Sequence, residues 1–377
     1  MYLWRRKAMT GTAKYILILL CIIFSPRVAG QVLQDPQDME KVRKGVASIY
    51  SCNFEEAYSN LRYLEKKFPG HPIVYLMRGM IMYWENFPLI SGTRQGLLYE
   101  ECLQQGLEVA EKKLKSKPRD AEYLLSALGN AGFLLLYYAD NGESGKVITM
   151  APKTYQWVMK SFEFTQTYKD FYFVTGLYNY YREAYADAHP VYKPVMVFFP
   201  SGDKKLGLSQ LKTAADSSIF LTAESANFLA GIYQSFEKNP AQALAYSRKL
   251  KETNEKNMMF RASYIRDLLV IKKYGEAESL VNGIPYNAVN KYFQGQADIL
   301  RGIIQEKKYN NMKLAEQLYW SGISKTETYG DFASDYCSYG YFGLSRIYQV
   351  AGDARLSRQY RKKAKDLGTF EHINFDR

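Results

Sequence analysis

Histidine is nearly missing from this 377-residue chain: there are three, His71, His189 and His372, and the first two stand directly before proline. A turn explains that placement without any chemistry, so a histidine-based acid–base or zinc centre has little to build on. Cysteine is scarce as well, with four in all. Cys52, Cys102 and Cys337 are separated by long, unrelated intervals that match no metal or redox spacing. Two readings stand for them: one bridged pair and one thiol in an oxidising compartment, or three small buried hydrophobes. Phosphate-loop, zincin, nucleophile-elbow and calcium-loop patterns are all absent. These absences weigh against an enzyme, and nothing in the sequence calls for a cofactor or a metal.

Long apolar runs are lacking too. The stretch Ile16 to Phe24 is short of the ~20 residues that span a bilayer. It follows a basic start (Arg5, Arg6, Lys7, Lys14) and precedes Val28-Ala29-Gly30, which has the form of a signal peptide cleaved before Gln31. Large residues before Cys21 argue against lipidation. The expectation is a leader over residues 1–30 and a secreted, periplasmic mature chain with no stable membrane span. Removing the leader's five cations lowers the formal charge from +12 to +7. The remaining basic residues are spread over helix faces such as Arg361-Lys362-Lys363, unlike the concentrated stripe that nucleic acid requires.

What is present is a period. Gly45 and Gly79 lie 34 residues apart, as do Ala243 and Ala277. Gly45 is followed twelve residues later by Ala57, and Gly231 twelve later by Ala243. Small residues at such intervals let the two helices of a hairpin touch, with Pro69-Gly70 and Asn239-Pro240 marking turns and Asn53 placed to cap a second helix. Ser345, Ser357 and Ala364 repeat the arrangement near the C-terminus, and Ala315 supplies another small position. Helices are expected over Lys291 to Lys307 and Lys313 to Ser321 and, in all, at about sixteen places. Sustained strand-like alternation is missing.

This pattern resembles the tetratricopeptide repeat family, with degenerate units over most of the mature chain. The resemblance implies an all-α fold, an α-solenoid of helical hairpins, with a concave face suited to holding a protein or peptide. The centre departs from the repeat. Phe171 to Tyr185 is a strongly aromatic helix, and Pro190, Pro194 and Pro200 then bracket the apolar residues Val195 to Phe199, where a regular helix is excluded. Ser201-Gly202-Asp203 turns the chain into a helix from Lys204. Gly176-Leu-Tyr-Asn-Tyr, the proline-bracketed loop, Gly202-Asp203 and Gly207-Leu208 with Leu211 together resemble the central part of uncharacterised secreted tetratricopeptide proteins of Gram-negative bacteria and, more distantly, the eukaryotic tetratricopeptide-39 proteins. That likeness implies no catalytic residues. The resulting division is a leader (1–30), an N-terminal helical section (31–189), an irregular loop (190–203) and a C-terminal helical section (204–377).

Within the aromatic helix, Tyr178, Tyr181 and Tyr185 recur on one face. They are either core or a binding patch, because helical spacing does not separate the two. With Arg182, Phe198 and Phe199 they are the candidate partner-binding residues. Phe198 and Phe199 are themselves expected to plug the neighbouring helix pairs, since soluble proteins seldom expose such clusters. The expected function is a non-enzymatic scaffold for a protein or peptide. The alternatives are a glycan-binding accessory using exposed aromatics and, more remotely, an enzyme around Arg182, Glu183, His189 and Asp203. Partner identity and oligomeric state are not legible.

Overall fold

A computed structural model describes residues 31–377, apart from 189, 191–192, 194–196, 369–372, 374 and 377. The leader, His189, His372 and Val195 therefore lie outside the described residues. Among the described residues there is no β-strand, and the α-helices number sixteen. They are α1 (Pro36–Tyr50), α2 (Phe54–Lys67), α3 (Pro72–Glu85), α4 (Arg94–Ser116), α5 (Ala121–Asp140), α6 (Ser144–Ser161), α7 (Phe171–Ala188) and α8 (Lys204–Ser217). The second half holds α9 (Thr222–Ser235), α10 (Pro240–Thr253), α11 (Met258–Val270), α12 (Tyr274–Asn282), α13 (Lys291–Lys307), α14 (Met312–Thr326), α15 (Ser334–Val350) and α16 (Ala354–Leu367). None is long and apolar enough to cross a membrane.

Consecutive helices pack in neighbouring pairs, and successive helices differ in how they are buried. The odd-numbered ones, such as α3, α5, α9, α13 and α15, bury residues on several faces. The even-numbered ones bury a single stripe, as in α2, α10 and α16. Two layers result, with odd helices inside. Local chemistry starts the helices where the turns predict. Asp35, Thr93, Asp120 and Asn257 accept hydrogen bonds from free N–H groups of the first turn. Asn53 is a correction: it sits before α2, but its amide donates to Glu56 instead of capping.

Most of the small positions are close contacts. A Cβ added to Gly45 would lie 2.5 Å from Met77, and one on Gly79 2.4 Å from Leu103. Ala57, Ala243, Ala277, Ala315 and Ala364 are fully buried. Gly231 is a second correction. A Cβ there meets nothing within 4 Å, and the neighbouring Ala230 is buried instead, so Gly231 is not the point of close helix contact.

Pairwise stacking does not exhaust the packing. The Tyr50 and Trp84 rings of α1 and α3 lie 6.4 and 5.5 Å from Phe260 of α11. Phe87, just after α3, meets Tyr292 and Phe293 of α13 at 5.8 and 6.0 Å. Asn257 and Asn290 donate to the carbonyls of Tyr50 and Phe87 across more than 200 residues of sequence. Inner faces of the N-terminal helices are thus filled by helices of the C-terminal half, which removes much of the open surface expected along successive inner helices.

Two buried carboxylates fix where chain segments enter this interior. Glu122 accepts the N–H groups of Val32 and Leu33 at 2.6 and 2.9 Å. Asp170 accepts those of Ile219 and Phe220 at 2.8 and 2.7 Å. Each carboxylate satisfies two consecutive backbone donors that would otherwise be buried without partners. His71 completes the first clamp. Its Nδ1 accepts from Ile73 N–H, so the neutral ring carries its proton on Nε2, which faces Glu122 at 3.2 Å. Burial holds the imidazole down at about 4.

The three described cysteines are free, with Cys102 and Cys337 buried and Cys52 half-buried. Burial raises all three thiols, which suits the small-hydrophobe reading.

Candidate functional site

The central signature is first a packing device. Helices α7 and α8 approach through glycine: a Cβ on Gly207 would lie 2.7 Å from Tyr180 N and 2.8 Å from Gly176 O. The following turn is pressed on α7 in the same way, since a Cβ on Gly202 would sit 2.5 Å from the Asn179 carbonyl oxygen. Buried Asn179 donates to Gln210 at 2.8 Å, and Asp203 accepts from Leu206 N–H to start α8. Gly176, Asn179, Gly202, Asp203 and Gly207 are therefore accounted for by the α7–α8 contact.

The tyrosines of α7 divide. Tyr180 is fully buried and donates to Glu237 at 2.6 Å, so it belongs to the core. Tyr178, Tyr181 and Tyr185 fall together, as their spacing predicts, and with Arg182 and Phe199 they line one open cleft of about 350 Å³. Its remaining wall is Tyr155 of α6. The rings meet edge to face: Tyr155 lies 5.4 Å from Phe199 at 84°, and Phe162 lies 5.9 Å from Tyr178 at 89°. Such arrangements place the positive ring edge on the negative face. Tyr181 is braced from behind by Tyr180 and Phe236, each 5.5 Å away. Burial pushes the hydroxyls of Tyr178 and Tyr181 up to about 12, so both are neutral hydroxyls at ordinary pH.

Backbone contacts seat the loop beneath these rings. Tyr178 Oη donates to the Pro200 carbonyl at 2.7 Å, and Arg182 Nη2 to that of Phe199 at 3.3 Å. Arg182 Nη1 also pairs with Glu183 at 3.1 Å, while Glu183 accepts Gly202 N–H at 2.8 Å. The Tyr178 hydroxyl and the Arg182 guanidinium are thus engaged within the chain, leaving ring faces and edges as the cleft's character.

The plug expectation is overturned for Phe198 and, at 37% exposure, for Phe199 as well. With Phe199 turned toward Tyr155, its neighbour stands out in solvent at 86% exposure, and Val197 at 80%. The loop is held by its carbonyls, so these apolar side chains need not be buried to fix it. Of the residues in the enzymatic alternative, Glu183 supports the turn and Asp203 caps α8, while Arg182 holds the loop. Among the described residues no three His, Cys, Asp or Glu side chains are grouped to hold a metal.

A larger cleft, about 440 Å³, lies between α4, α5 and α6 and includes Glu100, Glu108, Glu111, Tyr138 and Lys146. None of the sequence candidates lines it. Lys146 reaches both Glu100 and Glu143 at 2.8 Å and lies 4.6 Å from the centre of the Tyr138 ring, while Lys153 pairs with Glu111. Much of its charge is already compensated internally.

Sequence reasoning missed Tyr155 and Phe162. Tyr155 is half-buried within α6 and Phe162 is exposed just after it; α6 packs on the core through Val147, Met150, Trp157 and Val158, and two aromatics beside that stripe were the available signal. No protein-family model matches this chain, and no curated protein does.

Proposed function

We propose that this protein is a non-enzymatic, secreted helical-repeat scaffold of the tetratricopeptide kind that takes a protein or peptide partner in the aromatic cleft between α6, α7 and the following loop. One observation carries the reading: Tyr155, the Tyr178–Tyr185 face and Phe199 converge from three stretches of sequence on one open apolar surface, and concentrated exposed aromatics are characteristic of recognition sites. The alternation of inner and outer helices and the buried small residues support the repeat assignment, and the leader-like residues 1–30 support secretion. A peptide is favoured over a glycan because sugars need several hydrogen bonds per ring, whereas Tyr178 and Arg182 already bond the loop carbonyls.

Site-specific photocrosslinking in cells tests the reading. A photoreactive residue at position 185 is expected to give a discrete protein adduct, and one at Lys251, on the outer helix α10, none. Equal labelling from both positions, or none from position 185, removes the cleft as a binding site.

A further inference from the structure

On the reading that the cleft binds protein, we propose that its partner is a second copy of this chain, each copy placing Phe198 in the other's Tyr155–Tyr181–Tyr185 cleft. A two-fold interface requires a surface complementary to itself. Here a protruding apolar side chain, Phe198 at 86% exposure, and an apolar recess lie side by side. Phe198 is one residue from Phe199, which forms part of the recess wall, so rotation of one copy onto another brings both protrusions to both recesses at once.

The fit is chemical as well as spatial. An apolar cavity of ~150 Å³ accepts benzene, and the cleft offers about 350 Å³. A phenyl ring asks nothing of the hydroxyl and guanidinium already engaged by loop carbonyls. A charged or sugar ligand would arrive with polar groups to satisfy. The exposed charged residues that flank the cleft in sequence carry both signs, Lys193 and Lys205 against Asp187 and Asp203, while Arg182 pairs with Glu183 and Lys204 with Glu237 inside the chain. Opposite signs on one surface can meet across a two-fold axis, whereas a one-sign rim would repel its own copy. Exposed Val197 and Leu206, at 80% and 47%, extend the apolar surface around Phe198.

Sedimentation velocity of the full mature chain and two variants tests the proposal at roughly 100 µM, above the micromolar affinities of modest interfaces. Wild type is expected to dimerise. Phe198→Asp, which loses the protrusion, and Tyr185→Asp, which charges the recess, are expected to be monomers with unchanged helicity and thermal midpoint. Mixed together, the two variants retain one intact contact and should form a weaker heterodimer. That complementation separates exchange between copies from a Phe198 that folds back into its own cleft. A monomeric wild type overturns the proposal, as does a dimer that survives Phe198→Asp. If wild type is monomeric while position 185 still crosslinks a different protein, self-association falls and the cleft's role in binding stands.

Discussion

Helices α13 to α15 and the pair α6–α7 are both rich in aromatic residues, yet one set spends them inside and the other leaves them at the surface. In the first, a Cβ on Gly302 would lie 2.8 Å from the Tyr319 ring and one on Gly343 2.2 Å from it. Two neighbouring helices, α13 and α15, close over that single tyrosine of α14. Its hydroxyl donates to Glu306, which also binds Arg346 through both carboxylate oxygens at 2.6 and 2.8 Å. In the second, α6 buries only Ser161, and Tyr155, Tyr178, Tyr181 and Tyr185 remain partly uncovered. Glycine opposite the Tyr319 ring closes the first region, whereas in the second the rings meet one another edge to face and stay partly exposed.

The largest effect should come from the closed region. Arg346→Ala removes the guanidinium that meets both Glu306 oxygens and leaves that buried carboxylate a single cation contact, from Lys307 at 3.2 Å, which is expected to cost about 3 kcal/mol, read by urea unfolding. A loss below 1 kcal/mol would show that water reaches Glu306 and that this core is looser than its distances imply. Gly343→Ala puts a methyl group into the Tyr319 ring and should cost about 1–3 kcal/mol by overpacking. Alanine at Gly231, where nothing lies within 4 Å, serves as its control and should leave stability unchanged or slightly raised through helix propensity.

An intermediate effect belongs to the interior where the two halves meet. Glu224 accepts from Tyr50 at 3.3 Å, and burial raises its carboxyl from 4.5 to about 7. The folded state therefore holds this proton more tightly than the unfolded one. The stability it contributes is complete below 4.5 and is lost as pH rises through 7. Burial likewise raises Glu122 to about 7 and Asp140 to about 6, which add in the same direction, whereas His71, held down at about 4, opposes them between 4 and 6.5. Above 6.5 only the carboxyls act. The thermal midpoint should drop by roughly 3 °C between pH 6.5 and 8, and Glu224→Gln should flatten the slope; an unchanged slope in that variant would assign the effect to Asp140 or Glu122. The smallest effect is expected in the cleft, where Phe198→Ala should change stability by less than about 0.5 kcal/mol. A larger loss would return Phe198 to the core role that its exposure denies.

Helix limits were legible where small residues and turns coincided. Lys291–Lys307 is helical over the expected span, and Gly45, Ala57, Ala243 and Ala277 are all tight or fully buried. Gly231 misled because Ala230 beside it is as small, and size alone does not choose between adjacent faces of a helix. The shared face of Tyr178, Tyr181 and Tyr185 follows from 3.6-residue geometry, but their exposure depends on how α6 packs beside them. Phe198 was misjudged because hydrophobicity predicts burial only if the chain has no other way to seat the loop, and Tyr178 and Arg182 supply one through the backbone. Glu122 and Asp170 were invisible for the opposite reason: an acid near a helix start looks like solvated charge until the distant N–H groups it serves are known.

The ties from Asn257 to the Tyr50 carbonyl and from Asn290 to that of Phe87 bear on how such a chain comes apart. An array in which each unit touches only its neighbours melts piecemeal, fraying from its ends, because every contact is local in sequence. Here the first and third helices are fastened to the eleventh and thirteenth, so losing either end removes the support of the other. Loop-closure entropy must be spent before those ties form, which slows assembly of the two halves. Once they are made, opening becomes a single concerted event, and the cleft is carried by a body that holds together as one cooperative unit.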